Sequence, residues 1–391
     1  MKKIFLSAFS FFVLSAVLVS AQETSRFLQP WDESFPFPAA SEVSFPEGLR
    51  HGIVHDCDTD PDYGFLHETA VGFLDDALIV GWYSNPKAEL SGKTFQRARW
   101  SRDDGKTWSD FEVLMEEGNE KGLMYVGLQF LNLDGKLYLF SNQESGAEKP
   151  VNTLLVEYDS ASKQWKTLGP VCQRFLSMQQ PILMEDGNFI ISGSYNIKDG
   201  GINGVIPTVY VSQGKDLAKP WKRFLMDSEY VNVFAETAIL VEGPNVLGVT
   251  RLEASPYPNF YESNDYGRTW RKLKNDSFLA SSSKFAAGTL SNGVRYVLFN
   301  LPDFQRDASG KMDPKTLNRG RHTLAIATAQ PGEKAFSKIW KISDRTAETR
   351  QGASHYPCAV ERDGKLYVTY TGQHKLRNCG ITILPIDSLK K

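Results

Sequence analysis

Along most of this chain apolar positions come in short runs, and the runs are paired across tight-turn residues. The turns stand at Asp75-Asp76, Asp134-Gly135, Asp186-Gly187, Gly243-Pro244-Asn245, Asn292-Gly293 and Asp363-Gly364. An apolar run precedes each turn. Another follows it: Ala77 to Trp82, Lys136 to Phe140, Asn188 to Ile191, Val246 to Val249, Val294 to Phe299 and Lys365 to Tyr370. Asp, Asn and Gly tolerate the positive φ angles of short hairpin loops, so each unit predicts a β-hairpin. The turns recur at steps of about 50 to 70 residues, the signature of a repeat architecture. A tryptophan closes five of the units, at Trp108, Trp165, Trp221, Trp270 and Trp340. Six hairpins imply six four-stranded units, the last completed by strands from both chain ends. The expected fold is all-β, a six-bladed β-propeller, in which only short, protected strand edges remain.

The first 21 residues break this pattern. Lys2 and Lys3 precede an apolar stretch from Ile4 to Val19, and Val19-Ser20-Ala21 sets small residues where a signal peptidase cuts. The stretch is short for a spanning helix and polar sequence follows at once. The expected organisation is a signal peptide at 1–21, an N-terminal extension at 22–50 and a propeller at 51–391. The mature protein is expected in a periplasm or outside the cell, with no membrane insertion. Loss of the two lysines takes the formal charge from −2 to −4. With 23% charged residues and no Lys/Arg-rich stripe, the chain is read as globular and not as a nucleic-acid binder. Its 31 Gly, 15 Tyr and 24 Phe suit many short strands joined by tight turns. Cys57, Cys172, Cys358 and Cys379 fit no zinc spacing; they read either as buried thiols or, for Cys358 with Cys379, as a disulfide bracing the last repeat. Asp56, Asp58, Asp60 and Asp62 alternate ahead of Gly64, which offers hard oxygen ligands. However, Pro61 stands where an EF-hand needs Gly and His67 where it needs Glu, so a solvated acidic loop is expected.

Two units carry a sharper motif. Ser101-Arg-Asp103-Asp-Gly105-Lys-Thr107-Trp108 and Ser263-Asn-Asp265-Tyr-Gly267-Arg-Thr269-Trp270 share five fixed positions. These are Asp-boxes, and with them the chain resembles the sialidase superfamily of BNR-repeat propellers. The resemblance implies that Asp-boxes lie on the rim away from the active site, so function must be sought at the opposite strand ends. Polar residues cluster there: His67-Glu68, Gln179-Gln180, Glu236 and His355-Tyr356 before the turns, and Trp82, Asn142-Gln143, Arg251 and Asn300 after them. Such groups form either a structural hydrogen-bond network or a ligand site.

The resemblance implies roles residue by residue. Glu236, followed 15 residues later by Arg251 and then by an Asp-box, is similar to the blade whose Glu assists the nucleophile and whose Arg grips a substrate carboxylate. Arg321 is similar to a second carboxylate-binding Arg, and Tyr356 to the nucleophile of the final blade. The chemistry is coherent. A carboxylate beside the reacting carbon repels an acidic nucleophile, whereas a Tyr hydroxyl activated by Glu avoids the clash. Arg holds a carboxylate through paired hydrogen bonds. No cofactor and no metal is needed.

The chain also departs from the sialidase pattern. The arginine that opens the first blade is replaced by Leu66-His67-Glu68-Thr69. Counting back from the last turn puts His355, not Tyr356, at the nucleophile's place. The usual acid, an Asp ahead of the first Asp-box, has no counterpart, and Glu89 is the nearest carboxyl. His67 and His355 titrate near neutrality and offer acid and base groups. Gln179 and Trp82 are expected to contact the sugar. Three functions follow. The leading one is a sialidase-like exo-hydrolase acting, as a monomer, on a glycan that carries a carboxylate. The others are a histidine-dependent hydrolase or lyase of uronate glycans on the same fold, and a glycan-binding propeller without catalysis.

Overall fold

The computed structural model describes residues 27–116, 122–146, 149–197, 204–229, 234–344, 352–373 and 376–390; the leader read at 1–21 lies outside them. Six antiparallel sheets form a ring. Blade 1 holds β2 (Phe65–Leu74), β3 (Ala77–Asn85), β4 (Phe95–Ser101) and β5 (Glu112–Glu116). Blade 2 follows with β6 (Met124–Leu133), β7 (Lys136–Glu144), β8 (Pro150–Asp159) and β9 (Gln164–Gln173). In blade 3 the inner strand is split into β10 (Phe175–Ser177) and β11 (Ile182–Leu183), both paired with β12 (Phe189–Ile197), ahead of β13 (Gly204–Val211) and β14 (Lys222–Leu225). Blade 4 runs through β15 (Thr237–Glu242), β16 (Asn245–Thr250), β17 (Asn259–Ser263) and β18 (Arg271–Leu273). Blade 5 is β19 (Ala286–Thr289), β20 (Arg295–Asn300), β21 (Leu324–Ala329) and β22 (Lys338–Ser343). Blade 6 takes β23 (Ala353–Arg362), β24 (Lys365–Gln373) and β25 (Arg377–Pro385), and β1 (Arg50–Asp56) pairs with β25 as its outer strand. Strands from both chain ends therefore close the ring, as the repeat count predicts.

The turn chemistry holds in detail. Asp134 and Gly135 adopt φ of 52° and 76°, and Asp363 and Gly364 adopt 49° and 71°, the double positive φ of a tight hairpin. In both Asp-boxes the Ser hydroxyl accepts from the Gly amide, Ser101 from Gly105 at 2.8 Å and Ser263 from Gly267 at 2.9 Å. The Asp carboxylate meanwhile accepts from the Thr hydroxyl, at 2.6 Å in one box and 2.7 Å in the other. The closing tryptophans sit in apolar clusters that bridge blades; Trp221, for instance, packs edge-on to Phe140 of blade 2 with ring centroids 5.7 Å apart.

Neighbouring blades are stitched by buried polar side chains, each reaching from the second strand of one blade to the start of the next. Asn142 Nδ2 donates to the Ser177 carbonyl at 2.9 Å, Ser192 Oγ to Thr237 at 2.8 Å, and Asn300 Nδ2 to Ser354 at 2.7 Å. Part of the polar density at the strand ends is thus a structural network that satisfies itself between blades.

The extension before β1 is no independent unit. Gln29 bridges to Ala335, and Phe27, Leu28 and Trp31 bury themselves among Phe278, Phe299 and Phe336 of blades 4 and 5. The four cysteines are free and buried, so no Cys358–Cys379 bridge forms. Asp60 is also not solvated: it is largely buried and pairs with Arg97 at 2.7 Å, while Asp56 caps the turn at Asp58. An acidic side chain that neutralises a buried guanidinium is structural.

Candidate active site

At the end of the propeller opposite the Asp-boxes lies a cavity of about 540 Å³, lined among others by His67, Glu68, Tyr83, Glu89, Phe234, Glu236, Arg251, Arg321, Tyr356 and Arg377. Each blade delivers its contribution where a strand begins or ends. Glu236 immediately precedes β15 and Arg251 immediately follows β16. Their backbones meet through Arg251 N donating to Glu236 O at 3.0 Å, so one hairpin presents both side chains. Arg321 comes from the long connection between β20 and β21, and Arg377 opens β25.

Tyr356 reaches the cavity through a distortion of β23. The pairing with β24 steps from His355↔Thr371 to Cys358↔Thr369, so one extra residue is accommodated, and Tyr356 takes φ of 59°. That extra residue is why counting back from the turn points to His355. The same bulge occurs in β2, between His67 and Ala70, with Glu68 at φ of 49°. Positive φ at a bulky residue is rare and clusters at functional sites.

A continuous hydrogen-bond set results. Tyr356 OH donates to Glu236 Oε1 at 2.5 Å, Arg251 Nη1 donates to the tyrosine oxygen at 2.8 Å, and the same nitrogen donates to Glu236 Oε2 at 2.9 Å. Arg251 is in turn held by Ser282 Oγ at 2.9 Å and Glu253 Oε2 at 3.2 Å, and its guanidinium lies over Phe234, 3.9 Å from the ring centre. Arg321 donates twice to the Ser282 carbonyl, at 3.0 and 2.7 Å, and its guanidinium stands 5.4 Å from the Tyr356 ring centre. The two arginines therefore share Ser282 as a common support and face one cavity.

Electrostatics follow from burial. The Tyr356 phenol is pushed well above its ordinary range by burial and by the Glu236 charge, with Arg251 and Arg321 opposing. The oxygen in contact with that phenol proton is Glu236 Oε1. Burial works against the Arg251 charge, but Glu236 and Tyr356 more than offset it and hold the guanidinium charged. His67 and His355 are kept neutral: burial lowers both, and the surrounding arginines add to it.

The cavity gathers Tyr356, Glu236, Glu89, His67, Arg251 and Arg321. Glu89 accepts from the Tyr83 hydroxyl at 3.0 Å. His355 stands behind the wall, accepting from Arg377 through Nε2 at 3.0 Å. Two residues expected to contact the sugar, Trp82 and Gln179, do not line this cavity. Trp82 is fully buried, stacked on His55 at 5.0 Å, because side chains alternate along β3 and its neighbour Tyr83 takes the cavity side. Gln179 bonds Ile239 on both its backbone groups and Ala287, joining three blades, and lines a separate cavity of about 320 Å³ with Gln180 and Glu361. The cavity also holds Arg377, Tyr83 and Glu144, to which the sequence assigns no site role. Arg377 was findable, since it stands just beyond the last inner hairpin as a basic residue at a strand end.

The model of the BNR repeat-like domain family matches residues 170–368. Among solved structures the chain is similar to Trypanosoma rangeli sialidase in complex with 2,3-difluorosialic acid (covalent intermediate), at 15% identity and a TM-score of 0.61 over 89% of this chain and 60% of that one. It is also similar to a Hadza microbial sialidase, at 14% identity and a TM-score of 0.64 over 86% of this chain and 69% of the other. A third similar structure is a protein of unknown function from Dyadobacter fermentans, at 13% identity and a TM-score of 0.60, covering 87% and 99% of the respective chains. At these identities the likeness is one of fold, and the chain spans about 60% of the trypanosomal enzyme. No curated protein sequence matches it. With half of its length matched by the family model and a six-bladed ring of sheets like that of the solved sialidases, the chain belongs to the BNR repeat-like domain family of sialidase-like propellers.

Proposed function

We propose that this protein is an exported exo-glycosidase of sialidase type that removes a sialic-acid-like sugar, one with a carboxylate on its reacting carbon, from a glycan. The observation that carries this reading is the contact set of Tyr356, Glu236 and Arg251 in one cavity with Arg321. Tyr356 attacks the anomeric carbon as Glu236 takes the phenol proton. Arg251 and Arg321, with Arg377 on the same wall, hold the carboxylate. A neutral tyrosine approaches such a carbon without the repulsion an aspartate would meet, and arginine provides paired donors to the acid group. The apolar side chains Phe234, Leu90, Val126, Leu176 and Met178 form the rest of the apolar lining, which would limit water at the reacting face. The protein is proposed to act as a monomer outside the cytoplasm.

The test is incubation with a fluorogenic sialoside, followed by 2,3-difluorosialic acid and peptide mass mapping. Release of the fluorophore and a sugar adduct on the peptide containing Tyr356 are expected. No release between pH 4 and 8 and no adduct would sink the reading. An ultraviolet-absorbing product from a uronate polymer would transfer the site to the lyase reading.

A further inference from the structure

The proposal above gives Glu68 no task, and several features set that residue apart. Its backbone repeats the strained geometry of Tyr356 in the adjoining blade. Each follows a buried histidine, each sits in a bulge with one extra residue, and their φ angles are 49° and 59°. Two neighbouring inner strands thus bear the same strain to turn one side chain into the cavity. The carboxyl also occupies the space beside Gly127 of blade 2, where a Cβ would stand 1.6 Å from Glu68 Oε2, so a side chain there would push the carboxyl out of this position. Among the described residues no hydrogen bond reaches the Glu68 carboxyl, whereas Glu89 is engaged by Tyr83. Glu68 is half-buried and faces the cavity.

Its surroundings favour a carboxyl that carries a proton near neutrality. Burial raises it to about 7, with Glu236 and Glu89 pushing the same way, while Lys284 and Arg251 oppose. Among the described residues Lys284 Nζ is buried without a hydrogen-bond partner, and its charge acts on Glu68 at a distance. A group that titrates near the working pH both gives and takes protons efficiently.

Resting on the glycosidase reading, we infer that Glu68 is the acid and base that serves the leaving group. In the first step the phenol proton of Tyr356 passes to Glu236 and the tyrosine oxygen bonds the anomeric carbon. The glycosidic C–O bond breaks with its electron pair on the leaving oxygen, which takes the Glu68 proton. In the second step water yields a proton to the Glu68 carboxylate as its oxygen bonds the anomeric carbon. The electron pair of the carbon–tyrosine bond returns to Tyr356, which recovers its proton from Glu236.

Leaving-group dependence tests this. Wild type, Glu68→Gln and Glu89→Gln are assayed on the 4-methylumbelliferyl ketoside of N-acetylneuraminic acid, a good leaving group, and on sialyllactose, whose alcohol needs a proton. Glu68→Gln should lose about 100-fold or more on sialyllactose and under about tenfold on the aryl substrate. Glu89→Gln should lose by the same factor on both. Should the Gln variant fold poorly, Glu68→Ala with azide serves instead, and a glycosyl azide of retained configuration is expected. An active wild type whose Glu68 variants lose equally on both substrates and give no azide product overturns this role alone. The same follows if Glu89→Gln carries the leaving-group dependence. A wild type inactive on both overturns the sialoside reading, and the role of Glu68 with it.

Discussion

At the turn end of blades 1 and 4, Asp103 and Asp265 satisfy their carboxylates within four residues of chain, on the hydroxyls and amides of the same loop. At the cavity end, Glu236 meets Arg251 across 15 residues and Tyr356 across 120, and Arg251 meets Tyr356 across 105. Both ends are rich in acidic and hydroxyl groups, yet one is self-contained and the other exists only once the ring has closed. A self-contained turn can be duplicated without reference to its surroundings, as the two Asp-boxes are. A constellation drawn from blades 4, 5 and 6 cannot. Mutations should therefore separate cleanly, with function lost at one end and only stability at the other.

The sharpest break is expected from Tyr356→Phe. The ring keeps its packing against His67, 4.1 Å away, and only the oxygen is lost. Turnover of a sialoside should fall by about a thousandfold or more, while the Tm changes little. A variant with near-normal kcat would remove Tyr356 from the chemistry. Arg251→Met tests the same end differently, because it strands the Glu236 carboxylate, only 3% exposed, without its cation. Removing one partner of such a pair costs about 3–5 kcal/mol, so urea unfolding should show a loss on that scale together with lost activity. If stability is unchanged, Glu236 is protonated in the folded state, and its part as proton acceptor is wrong.

Ser263→Ala probes the turn end. It leaves the buried Gly267 amide without its acceptor at an expected cost of about 1–3 kcal/mol, with kcat and KM unaltered. An altered KM would mean that the two ends communicate, against the comparison drawn above.

The same contrast decides how much was legible in the sequence. Turns, Asp-boxes and closing tryptophans are local devices, so six blades and their closure by both chain ends follow from spacing alone. Glu236 and Arg251 were legible because one hairpin carries both. Tyr356 was nearly lost to His355, since a bulge inserts a residue that linear counting cannot see. Glu68 is legible as a strand-end residue but carries no role in the sequence, because its meaning depends on Gly127 in the next blade and on the buried charge of Lys284. Trp82 was misplaced for a smaller reason: in a strand buried on both faces, apolar pattern gives no parity, and Tyr83 turned out to face the cavity.

The mildest effect should come from the histidines, and it too depends on where they sit. Arg377 donates to His355 Nε2, which fixes that nitrogen as an acceptor and so requires a neutral ring; a proton there would face the Arg377, Arg321 and Arg251 charges. His67 bonds Thr371 through Nδ1 at 2.9 Å and lies among His355, Arg377, Arg321 and Lys284. Both imidazoles thus stay neutral when folded, while unfolded histidine protonates near pH 6.5. The unfolded chain then binds more protons as the pH drops, so stability is full above that pH and declines below it. Thermal melts of wild type should shift downward between pH 7 and 5, because these two histidines together with buried His55, lowered to about 4, outweigh Glu68, whose raised carboxyl works in the opposite direction. In the double variant His67→Gln with His355→Gln that slope should flatten, even if the melting temperature at pH 7 is lower. An undiminished slope would mean that the acid sensitivity arises elsewhere and that the cavity end tolerates charged imidazoles, which the arginines gathered around them argue against.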